Sequence, residues 1–164
     1  MRLRTVFLAG IPLAVLLTAL SIGEQVQPPQ PGYVGAAKCK VCHVGIFNSW
    51  HETRHAEALS TLDGKNAEDA ACLACHTTGF GAGGYGAEGT LADLEGVQCE
   101  ACHGPGSLYS FSSTMLDPER SRKAGLAPVD SLGCVRCHNA KSPTFKGFTY
   151  KAGLLTGTHS RKRD

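Results

Sequence analysis

The chain has 164 residues, of which 42% are hydrophobic, 18% charged and only 7% aromatic, with 20 glycines, 8 prolines and 8 cysteines. That length gives one domain or two small ones, and the ordinary apolar content excludes a disordered chain. A formal net charge of +2 spread over the whole sequence gives no basic face of the kind nucleic acid requires.

Residues Met1 to Gly23 open with Arg2 and Arg4 and then run without charge. A basic start, an apolar stretch and small residues near Ala19–Gly23 predict an export signal, either cleaved or kept as an N-terminal membrane anchor. From Glu24 onward the chain carries 14 basic and 14 acidic side chains, so the exported part is formally neutral. Residues 24–35, with Pro28, Pro29, Pro31 and Gly32, read as a semi-extended linker. The remaining stretch, 36–164, is expected to form the functional domain.

Every cysteine sits in one five-residue pattern. The four copies are Cys39-Lys40-Val41-Cys42-His43, Cys72-Leu73-Ala74-Cys75-His76, Cys99-Glu100-Ala101-Cys102-His103 and Cys134-Val135-Arg136-Cys137-His138. Cys-x-x-Cys-His is the attachment pattern of c-type haem. Two thiols one helical turn apart add to the two vinyl groups on one edge of the ring, and the following His ligates the iron. Disulfides suit an exported chain but leave the four histidines unexplained. Zinc knuckles do not require His at that position, and a thioredoxin-like site uses one pair rather than four. The reading is therefore four covalent haem c groups, with His43, His76, His103 and His138 as proximal ligands.

Four macrocycles in such a short domain leave too little polypeptide to enclose each one separately. The expected fold is mostly α with long irregular loops and little β, compact around stacked haems. Four irons have eight axial positions, whereas the chain has seven histidines. Besides the proximal four there are His51, His55 and His159, so at least one iron must take another ligand or stay open. Met115 is the one methionine besides Met1.

Along the domain, Ala36 to about Leu62 reads as helical, which would set His51 and His55 on one face. Asn66, Glu68 and Asp69 look like a capped helix start before the second motif. Gly79–Gly89 holds six glycines and reads as a loop, and Gly104-Pro105-Gly106 should stop the third motif's helix. A polar stretch from Ser107 to Ser131 crosses to the fourth motif. Two patterns are decoys. His51-Glu52-Thr53-Arg54-His55 matches the zinc-protease pattern without a third ligand, and Gly79–Gly84 matches a dinucleotide fingerprint without its preceding strand.

Several segments resemble the tetrahaem cytochrome c-554 family from about Tyr33 to His159. They are Tyr33-Val34-Gly35, Ser49-Trp50, Thr53-Arg54-His55-Ala56-Glu57-Ala58, Thr77-Thr78-Gly79-Phe80-Gly81, Gly83-Gly84-Tyr85 and the long stretch Gly96 to Gly106. The resemblance implies stacked haem pairs, His55 as distal ligand of the third haem, His159 of the fourth, and a five-coordinate second haem. In such proteins the first haem takes a distal His from the segment after the third motif. Here Ser107–Arg122 contains no His, which leaves Met115 or His51 for that role, with His51 also able to serve the second haem or a neighbouring subunit's haem. Met115 as a plain apolar contact and His51 on a solvated face are the bland alternatives. The C-terminal tail is shorter than the resemblance leads one to expect.

The expected function is an exported electron carrier, in the periplasm or outside the cell, between redox partner proteins. The resemblance suggests a hydroxylamine-type multihaem enzyme as donor. Two alternatives are reduction of nitric oxide at an open haem and a haem-stacked conducting filament. Two propionates per ring add roughly −8 to a neutral chain, so partners are expected to dock through basic patches.

Overall fold

The computed structural model describes residues 29–90 and 93–160. The export segment, residues 24–28 of the linker and the basic residues 161–163 lie outside the described residues. Eight short α-helices follow one another: α1 (Ala36–Lys40), α2 (Val44–His51), α3 (Ala70–His76), α4 (Cys99–His103), α5 (Ser112–Met115), α6 (Pro118–Lys123), α7 (Ser131–Val135) and α8 (Tyr150–Thr156). Two 3-10 turns, Leu59–Thr61 and Gly64–Ala67, lead into α3. Among the described residues there is no named strand, and one isolated antiparallel bridge joins Thr77 to Glu95. None of the described helices is long and apolar enough to cross a membrane.

Among the described residues the longest helix has eight residues, below the length at which a helix holds itself in water. Capping and tertiary anchoring must therefore fix each one. Asp69, Asp117 and Asp130 cap α3, α6 and α7, with side-chain oxygens accepting from Ala71 N, from Glu119 N and Arg120 N, and from Gly133 N. Pro118 opens α6, where its missing N–H costs nothing. Gly104, at φ +81°, ends α4 as its sequence predicts.

The helix expected from Ala36 to Leu62 is broken twice. His43, at φ −118° and ψ +52°, separates α1 from α2. After His51 the chain turns: Thr53 donates from both its amide and its hydroxyl to Trp50 O, at 2.8 and 2.7 Å. The Trp50 indole is itself held by Val97 O at 2.9 Å. The supposedly featureless stretch Ser107–Ser131 contains α5 and α6, and a further helix, α8, precedes His159.

The apolar interior is thin. Among the described residues Ala36, Trp50, Ala58, Leu73, Leu94 and Tyr109 are the buried hydrophobic ones, and two of those are alanines. Buried polar residues do much of the joining. Thr78 is fully buried; its amide donates to Leu94 O, its hydroxyl donates to Gly96 O and accepts from Gln98 N. Gln98 accepts from Ala36 N at 2.7 Å and donates to Asp93 O and Glu95 O. Val97 N donates to His55 O at 2.8 Å. Residues 93–100 thus tie the first, second and third motifs and the His55 loop to one backbone segment.

Gly96 is where that segment passes closest to its neighbour. Its φ is +74°, and a Cβ there would collide with the carbonyl oxygen of Ala56. Gly96→Ala should therefore lower stability by about 2 kcal/mol or more through combined strain and clash. Denaturant unfolding of the purified holoprotein measures this; an unchanged midpoint would mean the Ala56 loop is free to move away.

Candidate metal centre

All eight cysteines are free thiols, none fully buried. Cys39 lies on α1 with Cys42 in the turn after it; α3 and α4 carry the second and third motifs whole; Cys134 lies on α7 with Cys137 just beyond. Each pair therefore spans about one helical turn, the spacing that two adjacent vinyl groups need. Backbone bonds from His43 N to Cys39 O and from His138 N to Cys134 O, both 3.0 Å, keep that turn in the first and fourth motifs.

The motifs are not scattered. The Cys39 thiol hydrogen-bonds Cys99, which together with burial holds it far above the ordinary thiol value, while Cys99 as the partner is lowered. Burial pushes the Cys137 thiol up to about 12, helped by the neighbouring Cys75. Burial also raises Cys102, and Cys134 adds to it. The thiols thus influence one another electrostatically from the first motif to the third, from the third to the fourth, and from the fourth to the second.

The imidazoles form two facing pairs. The rings of His103 and His159 lie 6.3 Å apart between centroids and 25° from parallel. The rings of His55 and His138 lie 5.9 Å apart at 55°. Two metal–imidazole bonds of about 2 Å plus two ring radii give a centroid separation of about 6 Å for a shared metal ion. In this structure the His55 ring lies beside His138 of the fourth motif and the His159 ring beside His103 of the third, whereas the resemblance implied His55 for the third haem and His159 for the fourth. The reason is the C-terminal segment. Ser160 N donates to Ser49 Oγ at 3.0 Å, drawing the tail across α2, and Gly157 lies against the His55 ring with room for no more than a small side chain.

Several of these rings are also oriented by backbone carbonyls. His76 Nδ1 lies 2.6 Å from Ala58 O and 3.2 Å from Thr61 Oγ1, His159 Nδ1 2.9 Å from Ser160 O, and His103 Nδ1 3.4 Å from Ala127 O. An N–H spent on a carbonyl leaves Nε2 with its lone pair outward, the arrangement metal-bound histidines use. Burial lowers His55 and His103, favouring the neutral imidazole that can ligate; for His55 the neighbouring His138 adds to this.

The structure separates the remaining candidates. His51 ends α2 on the exposed side, stacked on Phe47 at 5.8 Å and edge-on to Trp50. It is not on one helical face with His55, and no group of three His, Cys, Asp or Glu able to hold a metal ion occurs among the described residues. Met115 closes α5 half-buried; Phe111, on the same turn-and-helix segment, has Lys38 Nζ of α1 5.8 Å from its ring centroid. That places Met115's helix beside the helix that starts the first motif. Among the described residues no ring contact joins His43 or His76 to a second imidazole. The glycine-rich loop 79–89 packs on Tyr33, whose ring occupies the place a Cβ on Gly79 would need.

These residues fit c-type haem. The thiols are unpaired as disulfides, the imidazoles are oriented and spaced for a metal, and apolar side chains crowd the motifs without cover: Val41 and Val44 by the first, Leu132 and Val135 by the fourth. A flat apolar ring at each motif would cover such surface and supply the interior the chain lacks.

The family model for cytochrome c554 and c-prime matches residues 38–104, which hold the first three motifs and His55. Over that stretch this chain is similar to the cytochrome c554 family. Cytochrome c-554 of Nitrosomonas europaea is 35% identical over 117 residues, covering 61% of this chain and 49% of that protein, so the chain spans about half the length of this relative. The reduced state of cytochrome c554 from the same organism superposes with a TM-score of 0.64 at 24% identity, covering 80% of this chain and 86% of that one. The shared fold is thus mostly helical and without strands among the described residues. That similarity implies c-type haem, and the eight cysteines in four Cys-x-x-Cys-His motifs accord with it.

Proposed function

We propose that the chain is an exported electron carrier holding four covalent haem c groups, at Cys39/Cys42, Cys72/Cys75, Cys99/Cys102 and Cys134/Cys137. The haems supply reversible one-electron chemistry when bound. The carrying observation is the linkage of the motifs: Glu100 and Gln98 hold Gly35 and Ala36 at the start of the first motif's helix, Arg136 of the fourth motif donates to Ala101 O of the third, and the thiols of Cys137 and Cys75 influence one another electrostatically. It joins all four motifs in the order first, third, fourth, second, with no motif left isolated. An enzyme with one reactive centre does not need that continuity; a conductor does.

The polypeptide's task is ligation and exposure. His103 with His159 and His138 with His55 give two bis-imidazole sites, and His43 with Met115 is our candidate for the first. Thioether ligation there would raise its potential relative to the bis-imidazole sites. His76 is anchored by Ala58 and Thr61 with no second imidazole beside it among the described residues. That feature favours a second, subordinate reading, in which the second motif's iron keeps an open position for a small nitrogen ligand such as nitric oxide.

Charge on the surface is segregated by motif. Between positions 52 and 95 stand eight exposed acidic side chains and two basic ones, Arg54 and Lys65. Many of them flank the second motif directly: Asp63, Glu68 and Asp69 lead into α3, Glu57 adjoins the carbonyl that holds His76, and Asp93 and Glu95 bracket Leu94, which binds Thr78. Arg136, Lys141, Lys146 and Lys151 surround the fourth motif, where Phe148 stacks on His138 at 4.7 Å. A basic redox partner is therefore expected to dock at the second motif's end of the series.

EPR of the oxidised protein tests the ligand set: low-spin signals are expected from the third and fourth motifs and a high-spin signal from the second. His55→Ala should convert the fourth motif's iron to high spin and leave the third's unchanged; a change confined to the third would reverse the pairing. Electron transfer with a basic monohaem cytochrome should slow several-fold between roughly 0.05 and 0.2 M salt, as screening removes the acidic face's attraction. Rates that ignore salt would contradict docking at that face.

A further inference from the structure

Glu100 occupies the first variable position of the third Cys-x-x-Cys-His motif and is only 2% exposed. Its carboxylate is enclosed by main-chain donors from two distant segments. Oε1 accepts from Gly106 N at 2.6 Å and Val34 N at 2.9 Å; Oε2 accepts from Gly35 N at 2.8 Å and Val34 N at 3.1 Å. Space is made for it: a Cβ on Gly106 would stand 3.0 Å from Oε1, and Gly35 holds φ +79°.

The shell dictates the residue type. Every contact to the two oxygens is an N–H donor, so the site wants a group that only accepts. A carboxylate satisfies it with both oxygens. An amide would aim its own N–H groups at other donors, and a protonated acid would do the same with its O–H. No cation is paired with it: the ion pairs among the described residues are Arg120–Asp117 and Lys123–Glu119. Arg136, which reaches the third motif, donates to Ala101 O and Gly133 O. A negative charge is thus built into the interior, where it is weakly screened. Its reach is visible on Tyr33 and Tyr109, whose phenols are raised above their ordinary value by burial first and by Glu100 second.

The charge stands between two motifs. It lies next to Cys99 in sequence and holds the two residues that lead into α1, and α1 carries Cys39 into hydrogen-bonding reach of Cys99. We infer that Glu100 is a positioning and potential-setting residue: it clamps the first motif to the third and biases both redox groups toward their oxidised state. This inference rests on the haem reading proposed above. In the half-reaction one electron from the donor protein converts Fe(III) to Fe(II), lowering the positive charge at the iron by one. A fixed anion stabilises the more positive form, so it opposes that electron at the first and third motifs and leaves it easier to accept at the second and fourth.

The test is a spectroelectrochemical titration of the holoprotein, with EPR to assign the couples, in wild type, Glu100→Gln and Glu100→Asp. Glu100→Gln should raise two of the four potentials by about tenfold in the one-electron equilibrium, ~59 mV, and leave the other two in place. Glu100→Asp keeps the charge, so its potentials should stay near wild type even where its stability falls. Intact mass checks the underlying reading separately: wild type without four haems would remove the haem assignment itself. A Glu100→Gln protein with four haems and unmoved potentials would overturn the role of Glu100 alone. So would equal shifts in the Gln and Asp variants, or failure of both variants to retain haem, since each would reduce Glu100 to a packing residue.

Discussion

The structure depends on one stretch of backbone, residues 93–100, and on the polar side chains that make it a hub. Thr78, Gln98 and Glu100 are buried, and their hydrogen bonds reach the first motif, the second motif and the Gly106 turn. Burying such groups is costly unless every donor and acceptor is paired. They are paired: no buried side-chain nitrogen or oxygen among the described residues lacks a partner. A network satisfied this completely holds a unique arrangement in a way that two alanines, two leucines, a tryptophan and a tyrosine alone could not.

That economy is what a protein built around large prosthetic groups requires. Helices of four to eight residues, a handful of buried apolar side chains and exposed valines beside the motifs would make a poor domain alone. With a ring at each motif, the same features become the walls of a packed interior. The polypeptide then needs to fix only the motif positions, the facing imidazoles and the local charge. It does the first with the hub, the second with the Ser160–Ser49 tie and the carbonyl anchors, and the third with Glu100.

Much of this was legible in the sequence. The four motifs, the family resemblance, the helical class and the stop at Gly104 were all readable from residue types at fixed spacing. The seven-histidine count already required unequal ligation. Other features were not readable because they depend on contacts distant in sequence. His51 and His55 have helical spacing, but Trp50 is pulled to Val97 and Thr53 ends the helix. Which ring His159 lies beside depends on how the tail crosses α2, where Ser160 N meets Ser49 Oγ across 111 residues. Within the polar stretch Ser107–Ser131, Asp117-Pro118 is a usable helix-start signal, an N-cap followed by proline at the first helical position. Glu100 looks like an arbitrary residue between two cysteines; only the amides of Val34 and Gly35 show that its charge is specified.

The central claim is that each thiol in this chain is bonded to a porphyrin and that the four rings furnish the core. Intact mass spectrometry of the exported, purified protein tests it most directly. The account predicts a single species heavier than its polypeptide by four haem equivalents, with the mass retained after denaturation because the attachment is covalent. A species at the polypeptide mass, or one that sheds its cofactor on unfolding, would contradict it.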